Sequence, residues 1–110
     1  MELELCNSES IKKFIQKIET EKVRFDLIIN NAGVLSPQDS ADRIPELNFA
    51  IQTLATNTLG TIDLTKQLLP HLAEHGRIIQ VSSGFGALKL QPKKTQDKFN
   101  HPGVKEEDIF

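Results

Sequence analysis

The sequence predicts an α/β fold built on a parallel sheet. Short apolar segments rich in β-formers alternate with segments of helical periodicity, in the order strand, helix, strand, helix, strand. The connections between the strands are long enough for the crossover helices that parallel strands require. The chain has 110 residues, of which 38% are hydrophobic. This length provides for one core, so we expect at most one domain.

The first part of the chain predicts two strands that flank one helix. Residues 3–5 alternate like a short strand, and Asn7 or Ser8 is a suitable N-cap for the next segment. Four apolar residues of that segment lie on one helical face: Ile11, Phe14, Ile15 and Ile18. Residues 25–29 are continuously apolar apart from one Asp and predict a strand buried on both faces. This strand ends at residues 30–33, an Asn-Asn-Ala-Gly turn called the NNAG turn below.

A long helix is predicted over residues 46–72, after a polar loop with Pro37 and Pro45. Five apolar residues lie near one face of this helix: Ile51, Leu54, Ala55, Ile62 and Leu69. Asn57 and Gly60 lie in its middle although both are poor helix formers, and glycine alone costs about 1 kcal/mol there. We therefore expect a kink or a functional interruption at this point.

The last part of the chain predicts one more strand and then irregular structure. Gly76 is expected to end the long helix as its C′ residue, and residues 76–81 form the third strand. A Ser- and Gly-containing loop, residues 82–86, follows it. We expect irregular, lysine-bearing chain over residues 89–98 and the start of a helix over residues 104–110. Ligands of parallel sheets bind beyond the carboxyl ends of the strands, so the loops after the three strands are the candidate site.

Composition excludes several functional classes. Thirteen basic and fifteen acidic residues give a net charge of −2 without a long block of one sign, so we expect no nucleic-acid and no anionic-membrane partner. Cys6 is the single cysteine and has no partner for an internal disulfide. The sequence has neither a signal-peptide pattern nor an apolar run of membrane-spanning length. We expect a cytoplasmic protein.

Three short motifs have a functional and a simpler interpretation. His71, Glu74 and His75 have the spacing of inverted zinc proteases, but we interpret them as a solvated helix end, and we predict no metal site. Gly84 and Gly86 follow a strand, but Lys89 stands where a dinucleotide-binding turn has its third glycine, so a flexible loop is the better interpretation. Ser10 and Lys13 match the Ser-x-x-Lys of penicillin-binding proteins, and capping of a helix is favoured there.

Three motifs in order resemble the central part of the short-chain dehydrogenases/reductases. They are the NNAG turn after an apolar strand, Asn57 within the following long helix, and the Gly-Arg-Ile-Ile-Gln-Val-Ser-Ser segment at residues 76–83. The resemblance extends over nearly the whole chain. It implies a Rossmann-like parallel sheet with flanking helices, in which residues 1–110 are a partial dinucleotide-binding domain. The first two strands and the C-terminal part of that fold are expected to be missing from this chain.

The resemblance implies which residues contact the cofactor. Glu4 matches an acidic residue that contacts adenine at a strand end, where the family has Asp, and Leu5 is its apolar neighbour. The NNAG turn lies at the cofactor edge in the family, where its glycine lets the backbone approach the adenosine part. The expected cofactor-binding residues are therefore Glu4, Leu5, Asn30, Asn31, Ala32 and Gly33.

The resemblance also implies two catalytic residues. Asn57 matches the asparagine that interrupts the long helix and holds a water in a proton relay, and Ser83 matches the serine that hydrogen-bonds the substrate carbonyl. The family moves hydride from a nicotinamide cofactor to a carbonyl while a tyrosine supplies the proton. This chain contains no tyrosine, and it lacks the glycine-rich turn that binds the pyrophosphate.

Residues 84–110 are similar to the insertion that delays the tyrosine in monomeric carbonyl reductases. The sequence therefore predicts the central fragment of an NADPH-dependent carbonyl reductase that is monomeric when complete and acts on small carbonyl compounds. The sequence leaves open whether NADP or NAD is preferred. The alternative is a catalytically inactive remnant that acts, if at all, as a non-enzymatic binding protein. Because the missing strands would lie between residues 3–5 and 25–29, the latter strand is expected to expose an apolar edge that favours aggregation.

Overall fold

The computed structural model describes residues 2–35 and 46–105. The chain divides into two compact units, Met1–Gln80 and Val81–Phe110. The predicted loop with Pro37 and Pro45 lies outside the described residues, as does most of the helix expected over residues 104–110. Val104 and Lys105, which are described, are not helical.

The first unit begins with a segment that turns at residues 5–6 and leads into helix α1, Ser8–Thr20. Asn7 is the N-cap, and its side chain accepts the backbone N–H groups of Glu9 and Ser10 at 3.0 and 3.2 Å. The predicted helix is confirmed, with Asn7 rather than Ser8 as the cap. Ser10 was expected to cap the helix, and this prediction was wrong. Its hydroxyl instead accepts the backbone N–H of Glu4 at 3.0 Å.

Two strands form a parallel sheet, as predicted. Strand β1 is Phe25–Asn30 and strand β2 is Leu72–Gln80, paired so that Ile28 lies opposite Ile78. Residues 3–5 form no strand, and no described strand lies beside them to supply hydrogen-bond partners. That prediction was wrong because alternation alone does not create a strand without a neighbour.

Strand β2 begins four residues before the predicted start. Phe25 pairs with Leu72 but Leu27 pairs with Arg77, so β2 carries extra residues at this point and bulges. Gly76 lies inside this bulge and not at a helix end, and no described glycine has a positive φ. A Cβ on Gly76 would lie 2.8 Å from the carbonyl oxygen of Phe25. Close approach of the two strands therefore requires glycine here, and the prediction that Gly76 is the C′ residue of a helix was wrong.

The predicted long helix is divided into four parts. Helix α2 is Leu47–Leu54, a π-helix covers Ala55–Gly60, helix α3 is Thr61–Leu68, and a 3₁₀ turn covers Leu69–His71. The expected interruption is confirmed at Asn57 and Gly60. The helix ends earlier than predicted because Pro70 has no N–H to continue it and leads into the 3₁₀ turn.

The core of the first unit lies between α1, α3 and one face of the sheet. Its buried residues are Ile11, Ile15, Ile28, Leu64 and Leu68. The apolar face predicted for the long helix is wrong: Ile51, Leu54 and Leu69 are exposed. The π-helix changes the helical register, so the face of α3 that meets the core is not a continuation of the predicted face.

The sheet buries one face only. Leu27 and Ile29 are 48% and 54% exposed while Ile28 between them is buried. The prediction that β1 is buried on both faces was therefore wrong, because the described helices cover a single side of the sheet. No helix among the described residues is long and apolar enough to cross a membrane.

The second unit consists of short helical segments. Two 3₁₀ turns, Gly84–Gly86 and Leu88–Leu90, precede helix α4, Lys93–Phe99. The Gln96 side chain donates to the carbonyl of Gln91 at 2.8 Å and thereby ties α4 to the chain before it. Part of the segment expected to be irregular is therefore helical.

Candidate functional site

The NNAG turn leaves the sheet at the carboxyl end of β1 as an irregular segment, since residues 31–33 adopt neither a turn nor a bend, contrary to the prediction. Asn30 is the last residue of β1 and lies opposite Gln80, the last residue of β2, so both strands end at one edge of the sheet. The half-buried side chain of Asn30 donates through Nδ2 to Thr65 Oγ1 of α3 at 2.8 Å. The turn that follows is exposed, whereas the residue at its start is anchored to a helix.

Asn57 of the π-helix holds the chain immediately after the turn. Its Oδ1 accepts the backbone N–H of Val34 at 2.8 Å, and its Nδ2 donates to the carbonyl of Val34 at 2.8 Å. A side-chain amide is the group that can satisfy a backbone donor and acceptor together. Both polar ends of the Asn57 side chain are therefore engaged with the protein.

The described residues would tolerate a side chain at position 33. The φ of Gly33 is not positive, and a Cβ built on it would meet only Asn57 Oδ1, at an ordinary contact distance of 3.7 Å. In contrast, a Cβ on Gly60 or Gly76 would collide with backbone atoms. Among residues 2–35 and 46–105, no other atom lies within 4 Å of this position, and the role of Gly33 toward a cofactor stays a prediction.

Glu4 and Leu5 lie at the turn before α1. The backbone N–H of Glu4 is fixed by the Ser10 hydroxyl, and the carbonyl of Glu4 accepts the N–H of Asn7 at 3.2 Å. Leu5 is half-buried against the core and crosses the π-helix at Gly60, where a Cβ would lie 1.9 Å from its carbonyl oxygen. The Glu4 side chain is exposed.

The π-helix thus contacts two of the predicted cofactor segments. Gly60 lies against Leu5, and Asn57 is bonded to Val34, which follows the NNAG turn. The geometry brings together Leu5, Asn57 and the NNAG turn by way of one interrupted helix.

Ser83 belongs to the second unit. Its hydroxyl accepts the backbone N–H of Phe85 at 3.2 Å and caps the 3₁₀ turn Gly84–Gly86. The side chain is exposed and a hydroxyl retains its own proton for donation while it accepts. The structure describes Ser83 only within this turn, so its role toward a substrate carbonyl stays a prediction.

Sequence reasoning missed Thr65 and Val34 as members of this site. Thr65 fell within a helical stretch whose periodicity drew attention to apolar residues, and the Val34 contact is made by backbone atoms that no side-chain pattern reveals. The His71, Glu74 and His75 motif lies in a 3₁₀ turn and a strand instead of a helix end. Within residues 2–35 and 46–105, no group of three metal-ligating side chains is close enough to hold an ion.

The chain is similar in sequence to proteins of known family. The sequence profile described as short chain dehydrogenase matches residues 1–94. Mouse carbonyl reductase [NADPH] 1 is 33% identical and bovine carbonyl reductase [NADPH] 1 is 31% identical, each over 98% of this chain. The chain spans 39% of the length of both reductases.

A solved structure supports the fold. A short chain dehydrogenase from Burkholderia cenocepacia J2315, crystallised in complex with NADP, has a TM-score of 0.65 and 21% sequence identity. The match covers 84% of this chain and 36% of that one. The parallel strands, the interrupted helix and the family profile lead to one conclusion: the chain belongs to the short chain dehydrogenase family.

Proposed function

We propose that these 110 residues are the central part of an oxidoreductase that reduces small carbonyl compounds to alcohols with NADPH. The observation that carries the proposal is the exposed NNAG turn, in which a Cβ on Gly33 would meet only Asn57 Oδ1 among the described residues, and which Asn57 holds through Val34. The similarity to carbonyl reductases [NADPH] supports the same assignment. The proposed setting is the cytoplasm, with a monomeric complete protein.

In this proposal the residues of the chain bind and orient the reactants. The adenosine part of NADPH would bind at Glu4, Leu5 and the NNAG turn. The nicotinamide of the same cofactor would supply the hydride. Ser83 donates a hydrogen bond to the carbonyl oxygen, whose negative charge grows as the hydride arrives. Asn57 keeps the turn in place and, as the resemblance implies, holds a water of the proton relay.

The sequence of this chain covers only part of that chemistry. It contains no tyrosine to supply the proton and no glycine-rich turn that follows a strand and accepts a pyrophosphate. We therefore assign the activity to a protein that includes these residues together with a glycine-rich strand-turn-helix before them and a Tyr-x-x-x-Lys pair after them.

The test is to express the reading frame with its flanking sequence and to measure NADPH oxidation with simple aldehydes and ketones. Ser83→Ala should lower kcat by about 10²-fold or more, as the loss of one oxyanion donor does. Ser82→Ala is the matched control and should retain activity. Flanking sequence without the two motifs, or a full-length protein without NADPH-dependent turnover, would contradict the proposal.

The second candidate function is a non-enzymatic binding protein. It is favoured by the absence of tyrosine from the sequence. The two candidates differ in one measurement: turnover that depends on Ser83 in the full-length protein excludes the binding protein, whereas its absence in a folded full-length protein favours it.

A further inference from the structure

A chain of side-chain hydrogen bonds runs from the NNAG turn into the interrupted helix. Asn30 Nδ2 donates to Thr65 Oγ1 at 2.8 Å, and Thr65 Oγ1 donates to the carbonyl of Thr61 at 2.6 Å. Thr61 Oγ1 in turn donates to the carbonyl of Thr56 at 3.0 Å. These three hydrogen bonds connect the end of β1 to Thr56, the residue that precedes Asn57.

The hydroxyl bond of Thr61 differs from those of Thr53 and Thr65. Threonine hydroxyls in α-helices bond the carbonyl three or four residues earlier. Thr65 follows this rule toward Thr61, and Thr53 follows it toward Phe49 at 2.9 Å. Thr61, which directly follows the π-helix, instead donates its hydroxyl to the carbonyl of Thr56, five residues earlier. Its backbone N–H donates to the carbonyl of Thr58.

These contacts close a ring around the turn. Asn57 follows Thr56 directly and holds Val34, the residue directly after the turn. Asn30, the first residue of the turn, is held by Thr65. One interrupted helix therefore fixes both ends of the turn, and Thr61 connects the two fixing points, since it bonds Thr56 through its hydroxyl and Thr65 through its carbonyl.

We propose that Thr61 is a positioning residue for the NNAG turn: its hydroxyl sets the π-helical register of Thr56, and thereby places Asn57 so that both ends of its amide reach Val34. The consequence for cofactor binding rests on the proposed function, because only then does the turn receive NADPH. The hydrogen-bond geometry itself does not depend on a cofactor. Serine at position 61 should retain the effect, because it keeps the hydroxyl, and valine should lose it although its shape is similar.

The test uses NMR of the full-length protein that includes these residues and needs no cofactor, because the isolated 110-residue chain is expected to aggregate. The first readout is the exchange rate of the Val34 backbone amide, and the second is the chemical shift of the Asn57 side-chain amide protons. Thr61→Val should speed Val34 exchange by about fivefold, as expected for the loss of one neutral hydrogen bond. Thr61→Ser should restore the slow rate, and Thr53→Val, which removes an ordinary helical hydroxyl bond, should leave Val34 unchanged.

A double-mutant cycle tests whether Thr61 acts through Asn57. Asn57→Ala removes both bonds to Val34, so adding Thr61→Val to it should change Val34 exchange no further. Additive effects would overturn the proposal, as would a Thr61→Val rate equal to that of Thr53→Val. Equal acceleration at the Ile28 amide in the core strand would also overturn it, because Thr61 would then support the fold in general. The exchange rates do not depend on NADPH binding. A failure of the proposed function would therefore leave the Thr61 result unchanged, and a failure of the Thr61 proposal would not contradict the proposed function.

Discussion

Replacement of Gly60 by alanine tests the crossing of the N-terminal segment over the π-helix. A Cβ at this position would lie 1.9 Å from the Leu5 carbonyl oxygen, 2.7 Å from its carbonyl carbon and 2.9 Å from the carbonyl oxygen of Ala55. All three atoms belong to the backbone, so no side chain can rotate away to make space. The Leu5 segment must retreat from the helix by more than an ångström, and the half-buried Leu5 side chain loses part of its contact with the core.

The size of the effect follows from two opposing terms. Alanine is favoured over glycine in a helix by about 1 kcal/mol. Forcing a methyl group into filled space costs about 1–3 kcal/mol or more, and lost burial of Leu5 adds to it. We expect Gly60→Ala to lower the free energy of unfolding by about 2 kcal/mol, and the melting temperature by about 10 °C for a domain of this size.

The assay is urea and thermal unfolding followed by circular dichroism, with every variant made in the Ile29→Lys background, which is expected to aggregate less, and with Gly33→Ala as the matched control. A Cβ on Gly33 meets only Asn57 Oδ1 at 3.7 Å, and the backbone has no positive φ there. This control should be neutral or more stable by about 0.4–1 kcal/mol because alanine restricts the unfolded chain. If Gly60→Ala is as stable as Gly33→Ala, the Leu5 backbone does not cross the π-helix in close contact with Gly60.

Three further predictions concern the sheet and the isolated chain. Gly76→Ala places a Cβ 2.8 Å from the Phe25 carbonyl oxygen and should destabilise the bulge by about 1–3 kcal/mol in urea unfolding; unchanged stability would exclude this close approach. The isolated wild-type chain should aggregate through β1, which among the described residues is paired on one edge only and exposes Leu27 and Ile29, and Ile29→Lys should reduce light scattering; a wild-type monomer with a sharp, reversible transition would argue against this. The purified 110-residue chain should show no carbonyl reduction and poor NADPH binding, and a saturable fluorescence titration with NADPH would contradict that expectation.

The elements that depend on local chemistry were predictable from the sequence. Helix α1 has an amide N-cap at Asn7 and apolar residues at helical spacing, and both features operate within the segment itself. The two strands were predictable at residues 25–29 and 76–80, because short segments with adjacent apolar residues, such as Ile28-Ile29 and Ile78-Ile79, are typical of parallel strands. The interruption near Asn57 was predictable because two poor helix formers lie close together.

The features that depend on distant partners were not predictable in the same way. The start of β2 at Leu72 follows from pairing with Phe25 across the sheet, and the bulge at Gly76 exists only because the strands approach closely there. The alternation of residues 3–5 indicated a strand, but strand formation needs a neighbour that the described residues do not provide. The burial of β1 on one face is likewise decided by which helices pack on it.

The site was only half predictable for a related reason. Motif order pointed to Asn57 and the NNAG turn, since these side chains are specific enough to carry a resemblance. The contacts that position them use the Val34 backbone and the hydroxyls of Thr61 and Thr65, which are groups too common in sequences to draw attention. These groups matter because they bind to the π-helix or help to form it, and the periodicity of the sequence did not predict a π-helix.

The π-helix explains why two unfavourable helix residues lie three positions apart. Glycine is unfavourable in a helix by about 1 kcal/mol, and asparagine is also a weak helix former, so packing must offset both. Gly60 is required where the Leu5 backbone crosses, and Asn57 is required where a single side chain must satisfy the N–H and the carbonyl of Val34. One contact reaches the segment before α1 and the other reaches the chain after β1. An uninterrupted helix of alanine and leucine would fold more readily in isolation but would make neither contact, so the local penalty is the consequence of joining these two segments at one edge of the sheet.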